Sequence, residues 1–312
     1  MTNPVIGLVG RAVALAASAM LGLGSTAALA RDAGPPTADP DAQIEFRVVQ
    51  SGLDPEQSEE FDSSGFVLRG EAGIDFDLGK TRGARIEVDA ARFEYEDDQR
   101  TDRTSYGTAI ELRQAIGETV EIRLRARHVE NTALLEASSA DQTSIGVRLQ
   151  WQEGNDRLRL SADYRWRQYD LAGNPEGEGL RLGGQYNRRF GSYHWLRFDA
   201  FHEDIESTAA PSRSYERYGA KVEYSQPLIE RLRLKPALEY RRWQYDSRIA
   251  LGDPSGARRA DSFVGPALEF AYGRDDRGLF AEAGVQYRIS TSNDSRYDDD
   301  AARFALIVGY RF

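Results

Sequence analysis

From about residue 42 to the end of the chain, apolar and polar residues alternate one by one, segment after segment. Successive side chains of a strand point to opposite faces, so a period of two marks a strand lying between two different surroundings. Phe66, Leu68, Gly70, Ala72, Ile74, Phe76 and Leu78 fall on one face, and Arg69, Glu71, Gly73, Asp75 and Asp77 on the other. Val120, Ile122, Leu124 and Ala126 alternate with Glu121, Arg123, Arg125 and Arg127. Leu158, Leu160, Ala162, Tyr164 and Trp166 alternate with Arg157, Arg159, Ser161, Asp163, Arg165 and Arg167. Many segments run to ten residues or more, whereas strands of soluble sandwiches usually have about five or six.

Fourteen such segments start near residues 43, 66, 84, 105, 119, 143, 157, 178, 194, 214, 231, 262, 279 and 302. The connections between them are short and long by turns, and the long ones are rich in Asp, Glu, Ser, Gly and Pro. Hydrocarbon offers no partner to a backbone N–H or C=O, so a sheet in a membrane must close on itself. Long alternating strands, an even strand count and the short-long rhythm together predict an all-β fold: a transmembrane antiparallel up-and-down barrel of about fourteen strands over residues 42–312. Short turns are then expected on the periplasmic side, long loops outside, and both termini in the periplasm. Pro236 and Pro266 sit inside expected strands, where each removes a ladder hydrogen bond.

Composition narrows the classes further. There is no Cys, hence no disulfide framework, thiolate metal site or lipid-modified Cys. A net charge of −10 argues against a general nucleic-acid binder. Residues 1–30 read as a cleaved signal peptide: Arg11, an apolar run over 12–24, and an Ala28-Leu29-Ala30 exit whose Ala28 and Ala30 form the cleavage signal. Residues 31–41, with Pro35, Pro36 and Pro40, are expected to form a flexible periplasmic lead-in. Trp151, Trp166, Trp195, Trp243, Tyr164, Tyr186, Tyr218, Tyr224, Tyr240, Tyr272 and Tyr310 lie toward strand ends, as aromatic girdles at a membrane interface would.

The last segment carries Phe304, Leu306, Val308, Tyr310 and a terminal Phe312 on one face. This ending resembles the β-signal with which outer-membrane barrels engage the barrel-assembly machinery. Together with the alternation and the leader, the chain resembles Gram-negative outer-membrane β-barrels, porin-like proteins among them. That likeness implies outer-membrane lipid, lipopolysaccharide and the assembly machinery as partners. The hairpin from Tyr287 to Asp298 and the strand after it also look like the C-terminal, fourteen-stranded barrel of surface lipoprotein assembly modifiers, whose helical-repeat domain has no counterpart here.

The face opposite the apolar one carries the candidate pore-lining residues: Arg123, Arg125, Arg127, Arg159, Arg165, Arg167 and Arg233, with Glu71, Asp75, Glu87 and Asp89. Opposed charged walls would set up a transverse field, and charged rings in a pore set ion preference. Fourteen strands lie between barrels filled by side chains and barrels with open channels. The expected function is a passive channel for small hydrophilic, anion-favoured solutes. The alternatives are a translocation barrel for a surface lipoprotein or exopolysaccharide, and a structural barrel whose lumen is braced shut by ion pairs. No cofactor, metal site or catalytic residue is expected. An enzymatic reading rests on His128, His194 and His202, with Ser207 and Glu203 or Asp204 near His202, but all three histidines share the apolar phase. The acidic runs over residues 54–62 and 298–300 read as solvated loops that could take a divalent cation.

Overall fold

A computed structural model describes residues 37–52, 63–96, 100–134, 139–252, 255–273 and 277–312. The signal-peptide expectation and the acidic run over residues 54–62 lie outside them. The described chain forms fourteen strands: β1 (Thr37–Ser51), β2 (Gly65–Asp77), β3 (Arg82–Tyr95), β4 (Arg103–Ile116), β5 (Val120–Ala133), β6 (Ser139–Glu153), β7 (Asp156–Tyr169), β8 (Glu176–Gly191), β9 (His194–Glu206), β10 (Tyr215–Ile229), β11 (Leu232–Ile249), β12 (Arg258–Tyr272), β13 (Gly278–Ser292) and β14 (Ala301–Arg311). Each is antiparallel to its neighbours, and β14 returns to β1, closing the barrel. The closing seam pairs Gln43 with Arg311 through to Ser51 with Arg303. Strands of 11 to 18 residues leave the outward apolar surface with no open edge, which is the condition hydrocarbon imposes.

The side-chain parity is that of the sequence. Ile86, Val88, Phe198, Leu268 and Leu306 point outward and are exposed, while the intervening charged residues are partly or fully buried. Such an extended apolar exterior is incompatible with water and matches a lipid-facing band. The charged residues face the concave side, where side chains converge instead of diverging.

Two expectations need correction. The first strand begins at Thr37, so residues 37–41 are not a free lead-in; they pair with β2, from Thr37 opposite Asp77 to Asp41 opposite Gly73. This stretch extends past the end of β14 and is paired on one side only. An edge of that kind tolerates Pro40, which has no N–H to give. Second, Trp195 and Trp243 do not belong to a girdle. Both carry the inward parity and are buried in the lumen wall. Pro236 and Pro266 lie inside β11 and β12 as expected, each at a gap in one ladder. The β10–β11 register skips the pairs beside Pro236, between Glu223 opposite Ala237 and Gln226 opposite Leu234. The β12–β13 register skips those beside Pro266. Each proline therefore has its ladder gap on one side and stays paired on the other, Pro236 with Leu268 and Pro266 with Leu238.

Candidate functional site: the charged lumen

The lumen is built in three zones. The first is a braced ladder on β1 to β5. Arg85 donates to Asp75 (2.6 Å) and Asp41 (3.1 Å), and Arg113 to Asp75 (3.2 Å) and Asp77 (2.7 Å). Arg125 and Arg127 both reach Glu87 (2.7 and 3.1 Å), and Arg127 also holds Asp89 (2.6 Å). Arg123 lies between Glu111 (2.8 Å) and Glu121 (2.6 Å). Glu71 has Arg69 at 3.8 Å.

Many of these pairs skip a strand, across roughly twice the 4.8 Å strand spacing. Glycines make that reach possible. Arg113 passes over Gly83, which stands in register between it and Asp77. A Cβ at Gly83 would collide with the Arg113 guanidinium, and one at Gly107 with the Asp89 carboxylate. Asp75, Asp77, Glu87 and Asp89 are thus neutralised by arginines one or two strands away, and Glu71 lies beside Arg69 of its own strand. They do not confront a distant basic wall, so the expected transverse field between acidic and basic walls is corrected to local pairing.

The second zone lies near the long-loop ends of β7 to β10. Glu203, wholly buried, accepts from Arg167 Nη2 (3.0 Å) and Tyr215 Oη (2.8 Å) on Oε1. Its Oε2 accepts from Arg165 (2.9 Å), Arg181 (3.0 Å) and Arg217 (3.2 Å). Around this hub the wall is aromatic: Ile205, Tyr215, Trp243, Tyr245 and Phe263 form one buried cluster, and Val67, Ala91 and Phe93 another across the barrel. Arginines stack on the rings, with Arg181 4.4 Å from the Phe201 centroid and Arg288 4.5 Å from Phe263. This long-loop end of the lumen is densely packed.

The third zone lies near the short-turn ends of β6 and β7. Arg159 donates only to the amide oxygens of Gln150 (2.9 Å) and Gln185 (3.2 Å), and Arg157 only to that of Gln152 (2.9 Å). Among the described residues, Arg148, Arg157 and Arg159 have no carboxylate partner. Arg233, in the same half of the barrel, is buried with its guanidinium 5.5 Å from the Tyr193 ring centroid.

All eleven sequence-derived lumen candidates carry the inward parity. The seven arginines separate into carboxylate-paired Arg123, Arg125 and Arg127, hub residues Arg165 and Arg167, the amide-held Arg159, and aromatic-backed Arg233, while Glu71, Asp75, Glu87 and Asp89 belong to the braced ladder. Sequence reasoning missed the role of Glu203, having set it beside His202. The two point to opposite faces: His202 Nε2 lies 2.8 Å from Glu216 Oε1 outside the barrel, and Glu203 lies inside. Ser207 Oγ is held by the Glu176 carbonyl oxygen at 2.5 Å. His128 lies beside Thr143 and His194 beside Tyr224 on the outer face. Of the acidic run 298–300, Asp298 accepts from the Ser292 amide, and Asp300 from the Ser290 amide and Tyr287 hydroxyl. Those carboxylates brace the last hairpin.

The fold is that of an outer-membrane β-barrel. The chain superposes on a loop-deleted OmpT, an outer membrane protein of Vibrio cholerae, with a TM-score of 0.53 and 10% identity, over 89% of this chain and 100% of that one. The outer membrane channel DcaP of Acinetobacter baumannii gives a TM-score of 0.51 at 12% identity, over 89% and 97% of the two chains. An anion-selective porin from Comamonas acidovorans gives 0.50 at 8% identity, over 89% and 100%. At such identities the likeness is one of fold. No protein-family model matches the chain, and no curated protein matches it.

Proposed function

We propose that this barrel is a passive channel of a Gram-negative outer membrane, reached through a cleaved leader, that passes small hydrophilic solutes and favours anions. The observation that carries the reading is the strip of Arg148, Arg157 and Arg159, inward-facing and without carboxylate partners. A guanidinium keeps its charge at any working pH, so an unneutralised strip raises the local concentration of anions in the lumen. The channel and porin neighbours are consistent with this reading through their shared fold. The packed aromatic end favours a second reading, a structural barrel with a closed lumen.

The test is single-channel conductance of the refolded barrel in a planar bilayer under a salt gradient. The reading expects stable openings with a reversal potential of anionic sign. It also expects that sign to weaken toward neutrality in a triple Arg148→Gln, Arg157→Gln, Arg159→Gln variant. A silent barrel that is correctly folded supports the closed reading. An open channel whose selectivity ignores the triple substitution removes the strip from the conducting path.

A further inference from the structure

We propose that the Glu203 hub is a binding seat for the oxyanion of a solute, a carboxylate or a phosphate. It rests on the reading that the lumen admits solutes, though not on conduction. Four guanidiniums and one phenol surround one carboxylate. A carboxylate offers about four lone-pair sites, and Glu203 already takes five donors. The hub is therefore saturated in acceptors while still rich in donors and in positive charge.

The surplus is directed to one side. Arg167 and Arg217 are buried behind Glu203, whereas Arg165 and Arg181 retain 17% and 29% side-chain exposure. Each of these two gives a single N–H group to Glu203 Oε2 and makes no other hydrogen bond to the described protein. The Arg165 Nε is buried with no hydrogen-bond partner among the described residues. The Phe201 ring, 4.4 Å from the Arg181 guanidinium carbon, supports Arg181 from one side. Both guanidiniums converge on one oxygen of Glu203, and each keeps N–H groups that no acceptor among the described residues takes, the donors with which arginines recognise an oxyanion.

Neither of two other inward carboxylates, Asp163 and Asp199, binds these arginines. Asp163 stands opposite Arg181 in register but makes no ion pair among the described residues, its carboxylate lying against Gly146 instead. Asp199 accepts from Gln185 at 2.6 Å. In this arrangement Glu203 acts as a resident competitor. It holds the arginines in place and also occupies part of the positive field a guest would use.

The test is calorimetric titration of the full chain, refolded in zwitterionic detergent, with sodium phosphate and separately with sodium succinate at constant chloride. Expected is saturable one-to-one binding, weakened at least tenfold by Arg181→Gln. Glu203→Gln, which removes the competing charge at constant shape, should tighten binding at least tenfold. Asp163→Asn should change binding in the same direction, which keeps the test decisive if Glu203→Gln does not refold. Outward-facing Arg188→Gln should leave it unchanged. Binding of both probes supports a general oxyanion seat, and binding of phosphate alone restricts it to phosphoryl solutes. No saturable binding of either, or binding indifferent to Arg181→Gln, overturns the proposal. A silent channel with intact binding would sink only the conduction reading, and a conducting channel without binding only the seat.

Discussion

Replacing Val88 with arginine places a charge where the fold puts hydrocarbon. β3 has 14 residues, Arg82–Tyr95, and Val88 is the seventh. At about 3.3 Å per residue and a tilt of about 40°, the strand rises roughly 35 Å. That exceeds the roughly 25 Å apolar band with a few ångströms to spare at each end, so Val88 sits near the midplane. Its side chain faces outward, with Ala72 and Thr108 beside it in register. An arginine there is expected to cost about 2–4 kcal/mol, a roughly 30- to 700-fold drop in the folding equilibrium. Gln50→Arg, outward but at the long-loop end of β1, should cost only about 0–1 kcal/mol. Strand β3 already carries Arg92 on that same face near its own loop end, where the side chain can reach the interface. The assay is a reversible guanidinium titration of folding into phospholipid vesicles, followed by tryptophan emission. A Val88→Arg variant within 1 kcal/mol of the wild type would refute the assignment of this face to lipid.

Three further outcomes follow from the same geometry. Glu203→Ala leaves Arg167 and Arg217 buried without their carboxylate and should destabilise the barrel by roughly 3–5 kcal/mol in the same titration; a loss under 1 kcal/mol would mean that solvent replaces Glu203 freely. Deleting Phe312 should lower the yield of assembled barrel in membranes, read as the heat-modifiable band on a gel; full yield would separate the terminal residue from assembly. The Asp294 carboxyl, in the loop before β14, is held well below the usual aspartate range, chiefly by hydrogen bonds from Arg296, with the Leu251 amide adding to them. A depressed folded value stabilises the loop fully above the unfolded value of about 3.9, and the effect fades as pH falls toward the folded value. Protection of the Leu251 amide from hydrogen exchange should stay constant from pH 7 to about 4 and decline below it, and Asp294→Asn should lose it at pH 7. A decline between pH 7 and 5 in the native chain would contradict the assignment.

Residue by residue, the chain announces which face each side chain occupies. The alternation of Val120, Ile122 and Leu124 with Glu121, Arg123 and Arg125 needs no partner strand to be read, because side-chain direction in a strand is set by local backbone geometry. Strand count, the short-long order of the connections and the inward parity of every lumen candidate came from that local rule. It also reaches Trp195, which stands three residues from outward Phe198 and hence on the other face; its place near a strand end concealed this. The start of β1 was not legible, since Pro35, Pro36 and Pro40 look like a linker until β2 supplies the pairing edge.

Which charge meets which was decided by the tertiary structure alone. Arg125 and Glu87 are 38 positions apart, and so are Arg165 and Glu203. Their meeting depends on strand register and on barrel curvature that turns inward side chains toward one another, and elsewhere in the wall Gly83 and Gly107 leave the room that Arg113 and Asp89 occupy. An ion pair forms only where two chains end within reach, and reach across a closed sheet is a property of the sheet. The same cause separates the strip of Arg148, Arg157 and Arg159 from the braced arginines of β3 to β5. In sequence they are alike, and only the closed barrel leaves Arg157 and Arg159 beside glutamines and the second group beside carboxylates.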